Sequence, residues 1–281
     1  MTAPLDELRQ QIDGIDDAVH DLLMRRAELV GRIGAAKGGA GGLALRPGRE
    51  AKVIRRLLGR HAGSFPAPAL VRLWREIVSS FTFLQCPIRV AVYRPADQPG
   101  YWDLARDHFG VTIPFTAHES PAQVLAAVRA DPNVVGVVPV PQADDPRPWW
   151  PGLASGDPAM PNVVQRLPFV PMPNARGGGL GGFVLARLEA EDSGEDRSLI
   201  LVETHAEISR ARVNSAAAKA GLGAPLSAWD FDQQGAHHDL LEVAGYVGDA
   251  DPRLAALVEA LGSPGARVLS LGAYAVSPVL R

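Results

Sequence analysis

Cysteine is nearly missing from this chain: Cys86 stands alone among 281 residues. A disulfide and a thiolate-bound metal are thereby excluded, and a reducing, cytoplasmic setting is expected. No apolar run approaches the roughly 18 residues a membrane-crossing helix needs, and the first residues lack the basic-then-apolar layout of a secretory leader. Charge of one sign is also scarce. Lys and Arg number 28, Asp and Glu 31, and they intersperse to a net charge of -3, so no basic field exists to hold nucleic acid or an anionic membrane surface. His237 and His238 have no flanking ligand spacing, and exposed hairpin residues rather than metal ligands are expected there. Gly177, Gly179 and Gly182 satisfy the letters of GxGxxG, yet they precede a strand pattern instead of joining strand to helix, so no dinucleotide is expected. Neither a metal nor an organic cofactor is called for.

What is present is a strong helical period. From Leu5 the apolar residues recur as Leu8, Ile12, Ile15, Val19 and Leu22, and again as Leu29, Ile33 and Ala36, the three-and-four spacing of one helix face. Pro4, Asp6 and Glu7 mark the start, and Gly38, Gly39, Gly41 and Gly42 the end. A helix over residues 5–36 is roughly 48 Å long at 1.5 Å per residue. Two shorter helices of the same chain cannot cover so long an amphipathic rod, which predicts a second copy packed along it, a homodimer. A second helix is expected over 49–61 with Val53, Ile54, Leu57 and Leu58 inward, and a third over 68–85 with Leu70, Leu73, Trp74, Ile77, Val78 and Phe81 inward. Pro87 ends both helix and domain.

Beyond it the texture alternates: strand 88–93, helix 103–109, strand 111–115, helix 121–130, strand 134–140. A Pro- and Gly-rich stretch holding Trp149 and Trp150 follows, with an extended segment 163–168 and a strand 182–188. Acidic residues 189–196 read as a linker. The last part runs strand 198–204, helix 208–220, strand 226–231, strand 240–247, helix 252–261, strand 266–274, the βαββαβ order of a ferredoxin-like unit. The fold class is therefore multidomain: an all-α three-helix unit at 1–86, an α/β unit at 87–190 and an α+β ferredoxin-like unit at 197–281.

One residue breaks the first stripe, since the position after Leu22 is Arg26. A guanidinium facing a packed seam needs anionic partners. Eleven steps at about 100° bring Lys37 to within about 20° of the same face, whereas Arg9, seventeen steps before Arg26, lies about 100° away, poorly placed for its own subunit's pocket and available to the partner's in an antiparallel dimer. Arg49 and Glu50 open the second helix, where free backbone N–H groups also favour an anion, and Gln85 follows Phe81 on the inward stripe of the third. Three or four cations, one carboxylate and one amide, with no serine, cysteine or histidine placed as nucleophile or base, suit a dianionic substrate whose reaction needs no proton transfer. A structural ion pair or a register device remains the alternative for Arg26 taken alone.

These segments, "LRQQID" at 8–13, "LLMRRAELVGRIGAAK" at 22–37, "RPGREAKV" at 46–53 and "LWREIVSSFTFLQ" at 73–85, resemble the all-helical class of chorismate mutases. The resemblance implies an intertwined dimer in which Arg26 and the partner's Arg9 grip the two carboxylates of chorismate, Lys37 and Gln85 hydrogen-bond the ether oxygen, Glu50 binds the ring hydroxyl and Arg49 supports the carboxylate cluster. Donors aimed at the ether oxygen stabilise the charge that develops as its C–O bond breaks on the way to prephenate. Two positions depart from the family's pattern: Arg46 stands where an acid is frequent, and Phe81 where a small hydroxyl residue is frequent. Both join the expected substrate-binding set.

Further on, "RPADQPGYWDLARDHFG" (94–110), "GVVPVPQA" (136–143), "GGFVLARLE" (181–189) and "RVLSLGAY" (267–274) resemble parts of a prephenate dehydratase and its ACT regulatory domain. Pro141, Gln142 and Ala143 replace that family's Glu-Asn-Ser, and Gly181 and Gly182 replace its Thr-Arg. A scaffold or sensor is thus expected from residues 87–281, with a chorismate mutase in front. A bifunctional mutase/dehydratase, a non-catalytic chorismate-binding regulator and an isochorismate-processing enzyme are the alternatives.

Overall fold

A computed structural model describes residues 4–36, 42–143, 145–171, 175–176, 178–205, 208–233 and 235–280. Three helices come first: α1 (Leu5–Ala36), α2 (Pro47–Arg60) and α3 (Ala67–Gln85). Proline sits in the first turn of α2 and of α3, where its missing N–H has no intrahelical acceptor to lose. α1 is a 32-residue rod with no buried residue. Its whole apolar stripe is open, from Leu8 through Ile12, Ile15, Val19 and Leu22 to Leu29 and Ile33.

α3 turns a different face inward from the one its apolar residues suggest. Val71, Arg75, Ser79, Phe81 and Thr82 are buried, while Leu73 is exposed. The reason is polar: Arg75 is paired with Glu50 of α2, and the Ser79 hydroxyl donates to the carbonyl of His108, so this face looks into the rest of the chain.

The remainder builds one sheet flanked by helices: β1 (Arg89–Tyr93), α4 (Gly100–Phe109), β2 (Phe115–His118), α5 (Pro121–Ala130), β3 (Val134–Pro139), a 3-10 turn (Trp150–Ala154), β4 (Asn162–Leu167), β5 (Gly182–Ala186), β6 (Asp196–Thr204), α6 (Arg210–Lys219), β7 (Ser227–Gln233), β8 (Ala236–Ala244), α7 (Pro252–Leu261) and β9 (Arg267–Ala275). β3 reads VVGVVP and is buried along nearly its whole length, the continuous apolar run of a strand covered on both faces. The helix starts carry their own signals. Ser120, Ser209 and Asp251 each accept a hydrogen bond from a first-turn backbone N–H.

The strand expected over 111–115 is displaced to Phe115–His118. Gly110, at φ 73°, ends α4, the Val111 N–H is taken by Glu76 Oε1 at 3.0 Å, and Pro114 has no N–H to give a ladder. His237 and His238 also differ from expectation. They lie within β8 rather than at an exposed hairpin tip, and His238 is buried. Trp149 and Trp150 pack into the main core, with the Trp149 indole N–H donating to the Pro139 carbonyl at 3.0 Å.

Strand order is β2-β1-β3-β5-β4-β9-β6-β8-β7. The α/β half and the βαββαβ half are therefore edges of a single sheet, joined where β4 runs parallel to β9 at Val163 and Gly272. That joint needs glycine. Gly272 has φ 122°, and a Cβ there would run into the Val163 carbonyl. Beside it, buried Glu242 accepts from the Tyr274 hydroxyl and from Arg197. Burial raises its pKa, but those donors outweigh burial and hold it below the usual carboxylate range.

The helical unit is fastened to this body. Ala51 and Ile54 of α2 share a core with Val71, Phe169, Val170 and Ala275. Arg55 donates to the carbonyls of Ser193, Glu195 and Val276 at 2.8 to 3.0 Å. Gly48, at the start of α2, lies so close to Glu191 that a Cβ would meet its carbonyl oxygen at 2.7 Å.

Candidate functional site

Where α1, α2 and α3 converge they enclose a cavity of 410 Å³. α1 contributes Arg26, Leu29, Val30 and Ile33, the approach to α2 contributes Ala44 and Arg46, α2 contributes Arg49, Glu50 and Val53, and α3 contributes Val78, Phe81, Thr82 and Gln85. Six of the eight residues expected from the sequence, Arg26, Arg46, Arg49, Glu50, Phe81 and Gln85, thus line one space. Arg9 does not. It lies near the solvent-exposed start of α1, roughly 25 Å of helix away from Arg26, and bonds Asp6 at 3.2 Å. Lys37 falls outside the described residues.

The cavity carries positive charge that the described residues leave uncompensated. Among the described residues no carboxylate pairs with Arg26 or with Arg49. Arg26 is half-buried with its guanidinium 4.9 Å from the centre of the Phe81 ring. Desolvation first, and the neighbouring Arg49 second, lower its pKa. Both effects oppose the charged form, so an anion brought between the two guanidinium groups is favoured. The anionic partner expected for Arg26 is absent from the chain's own described side chains.

The other members are already engaged. Glu50 accepts from Arg75 Nη1 at 2.9 Å through Oε2. Gln85 donates from Nε2 to the Phe81 carbonyl at 3.2 Å. Arg46 is held by Glu191 in an ion pair, and the Phe81 ring packs against the Arg26 guanidinium, which gives both unusual residues a structural account.

Sequence reasoning missed Arg75, which sits within the stretch "LWREIV". Its spacing held a signal: Val71, Arg75 and Ser79 are four apart and mark one buried face. Thr82, next to Phe81, was also missed and lines the cavity.

Residues 8–85 match the family described as chorismate mutase type II. The N-terminal helical segment belongs to that family. Relatives over a longer span include a bifunctional chorismate mutase/prephenate dehydratase of Aquifex aeolicus (strain VF5), 34% identical over 140 residues, which are 48% of this chain and 38% of that protein. A protein of the same description from Pseudomonas aeruginosa is 30% identical over 141 residues, again 48% and 38% of the two chains. The matched part spans less than two fifths of the length of these curated relatives. Among solved structures, the prephenate dehydratase from Streptococcus mutans is similar over 68% of this chain and all of that one, with TM-score 0.47 and 16% identity.

In the chorismate mutase type II segment, then, the cavity is built from all three helices, and its free cations come from two of them. The segment's α2 and α3 are fixed to the α/β body, whereas its α1 leans on α3 with the apolar stripe uncovered.

Proposed function

We propose that this chain is a chorismate mutase that works as a homodimer, converting chorismate to prephenate by electrostatic and conformational means without a covalent intermediate. The observation that carries the reading is the pair of unneutralised guanidinium groups, Arg26 and Arg49, facing one 410 Å³ cavity beside a carboxylate and an amide. Two cations suit the two carboxylates of chorismate, and bidentate N–H pairs fix their orientation. The Gln85 amide uses one N–H on Phe81 and has a second for the ether oxygen, where negative charge grows as the C–O bond breaks. Glu50 Oε2 is held by Arg75, leaving Oε1 to accept from the ring hydroxyl. In this reading Lys37, which the helical spacing of the sequence directs to the Arg26 side, adds a donor to the ether oxygen. Holding the enolpyruvyl arm over the ring inside a closed pocket supplies the remaining part of the acceleration.

The partner copy in this reading covers the stripe of α1. Seven large apolar side chains in sequence along one helix, all about half exposed or more, are a surface that a second α1 buries. An antiparallel arrangement brings the partner's Arg9 to the cavity that its own chain cannot reach. Residues 1–86 form the mutase domain, 87–190 the dehydratase-like part and 197–281 the ACT-like part, in a cytoplasmic protein.

The decisive measurement is the loss of the conjugated-diene absorbance of chorismate on addition of purified protein. Chorismate that decays only at its uncatalysed rate overturns the mutase reading, and tight binding without turnover makes the chain a regulator instead. One observation favours a second activity: the similarity to bifunctional relatives runs over 140 residues, beyond the matched mutase segment at 8–85. Phenylpyruvate released from added prephenate establishes that activity, and its absence leaves the α/β body as scaffold or sensor.

A further inference from the structure

A second cavity, of 90 Å³, lies between α3, α4 and the chain that follows β4. Val71, Leu104, Pro168 and Phe169 form its apolar wall, and Arg75 its charged one. The Arg75 side chain is only 5% exposed. Its Nη1 donates to Glu50 and lies 3.5 Å from His108 Nε2, but Nε and Nη2 are buried with no hydrogen-bond partner among the described residues. Those two nitrogens form one edge of the guanidinium, the edge that takes both oxygens of a carboxylate. A buried donor left unmade is unfavourable, so this edge calls for an acceptor that the described residues do not supply. His108 does not occupy that edge, because its Nε2 faces Nη1, and burial first and Arg75 second push its pKa far down. Asp107 is the acid on the wall, and Arg72 neutralises it at 2.5 Å.

Size narrows the ligand. At about 10–15 Å³ per water-sized site, the space holds roughly six to nine such sites, enough for a small organic acid and too little for a nucleotide. Pro171, Gly178 and Gly179 of its lining are exposed. We propose that this cavity binds a small aromatic monocarboxylate, its carboxylate on the Nε–Nη2 edge of Arg75 and its ring against Leu104 and Phe169.

Benzoate and its neutral counterpart benzamide test this by titration calorimetry on the full chain. Arg26→Ala serves as background, so that the chorismate cavity is weakened as an anion site. The expected result is one benzoate per chain, with benzamide at least about tenfold weaker. Adding Arg75→Lys, which keeps a cation for Glu50 but removes the planar fork, then lowers benzoate affinity by about tenfold or more. If that variant fails to fold, Leu104→Phe takes its place, filling the cavity from α4 with no change of charge. Absence of benzoate uptake, equal affinity for benzamide, or binding that survives both Arg75→Lys and Leu104→Phe overturns the proposal. Calorimetry reads the cavity whether or not chorismate is turned over, so this site and the mutase reading stand or fall separately.

Discussion

Arg75 of α3 and Glu50 of α2 form an ion pair at 2.9 Å with both side chains less than a tenth exposed. The pair is a shared wall, since Glu50 lines the cavity of the mutase segment and Arg75 lines the second cavity against the α/β body. A buried pair of this kind contributes little over an apolar pair of equal volume, but breaking it leaves a lone buried charge. Arg75→Met is therefore expected to destabilise the protein by about 3–5 kcal/mol, measured by urea unfolding. Adding Glu50→Gln to it recovers part of that loss because the stranded charge is gone. A neutral single variant contradicts the assignment.

Arg26 has no counter-ion among the described residues, so its removal is expected to relieve repulsion with Arg49 and to harm only the bound state. Arg26→Ala is expected to fold at least as well as the parent and to lose about 10²-fold or more in kcat/KM for chorismate. A melting temperature well below the parent's would instead mark Arg26 as a structural residue.

The uncovered stripe and the distant Arg9 make a joint prediction. Leu22→Glu on α1 is expected to yield monomers in sedimentation analysis. Arg9→Ala and Arg26→Ala are each expected to abolish turnover in their homodimers. Mixed and reassembled, they should recover about a quarter of the activity, because half of the dimers are heterodimers and one of the two sites in each is intact. No recovery on mixing would remove Arg9 from the partner's site.

His108 gives a pH signature. Its folded pKa is pushed well below the ordinary histidine value, chiefly by desolvation and next by Arg75. The unfolded chain thus takes up a proton near pH 6.5 that the native state refuses, so stability is full above that pH and falls as pH drops below it. The slope is up to about 1.4 kcal/mol per pH unit. Urea unfolding of the parent and of His108→Gln between pH 7.5 and 5 should diverge with that sign. Parallel curves would show that His108 is charged in the native protein.

Gly272 sits where the two halves of the sheet meet, at positive φ against the Val163 carbonyl. Gly272→Ala combines backbone strain with a direct clash and is expected to lose at least about 2 kcal/mol of stability. A milder effect would show that the joint between β4 and β9 is loose.

Much of this was legible without coordinates. The three-helix N-terminal unit follows from apolar period and proline punctuation, and α1, α5 and α7 end where their capping and breaking residues say. Six expected residues meet in one cavity because a helix converts spacing into direction: positions three, four or seven apart share a face, and the face can be read in advance. Arg75 escaped because its meaning depends on Glu50, which is 25 residues earlier, and on α4, a helix of another unit. Nothing local distinguishes a buried arginine from a solvated one. The strand expected at 111–115 slipped for a similar reason, since Glu76 of α3 captures the Val111 N–H.

By itself, the order of residues determined most of the helices and strands, the long apolar stripe of α1, and the clustering of cations without a nucleophile among them. Those properties reside in local period and in charge, which need no third dimension. Tertiary structure alone decided that the two halves of the sheet join at Val163 and Gly272, that Arg46 pairs with Glu191, and that the Arg75–Glu50 pair stands between two cavities. Each of these joins residues far apart in the chain, and long-range pairing is set by how whole elements pack, which no short window of sequence contains.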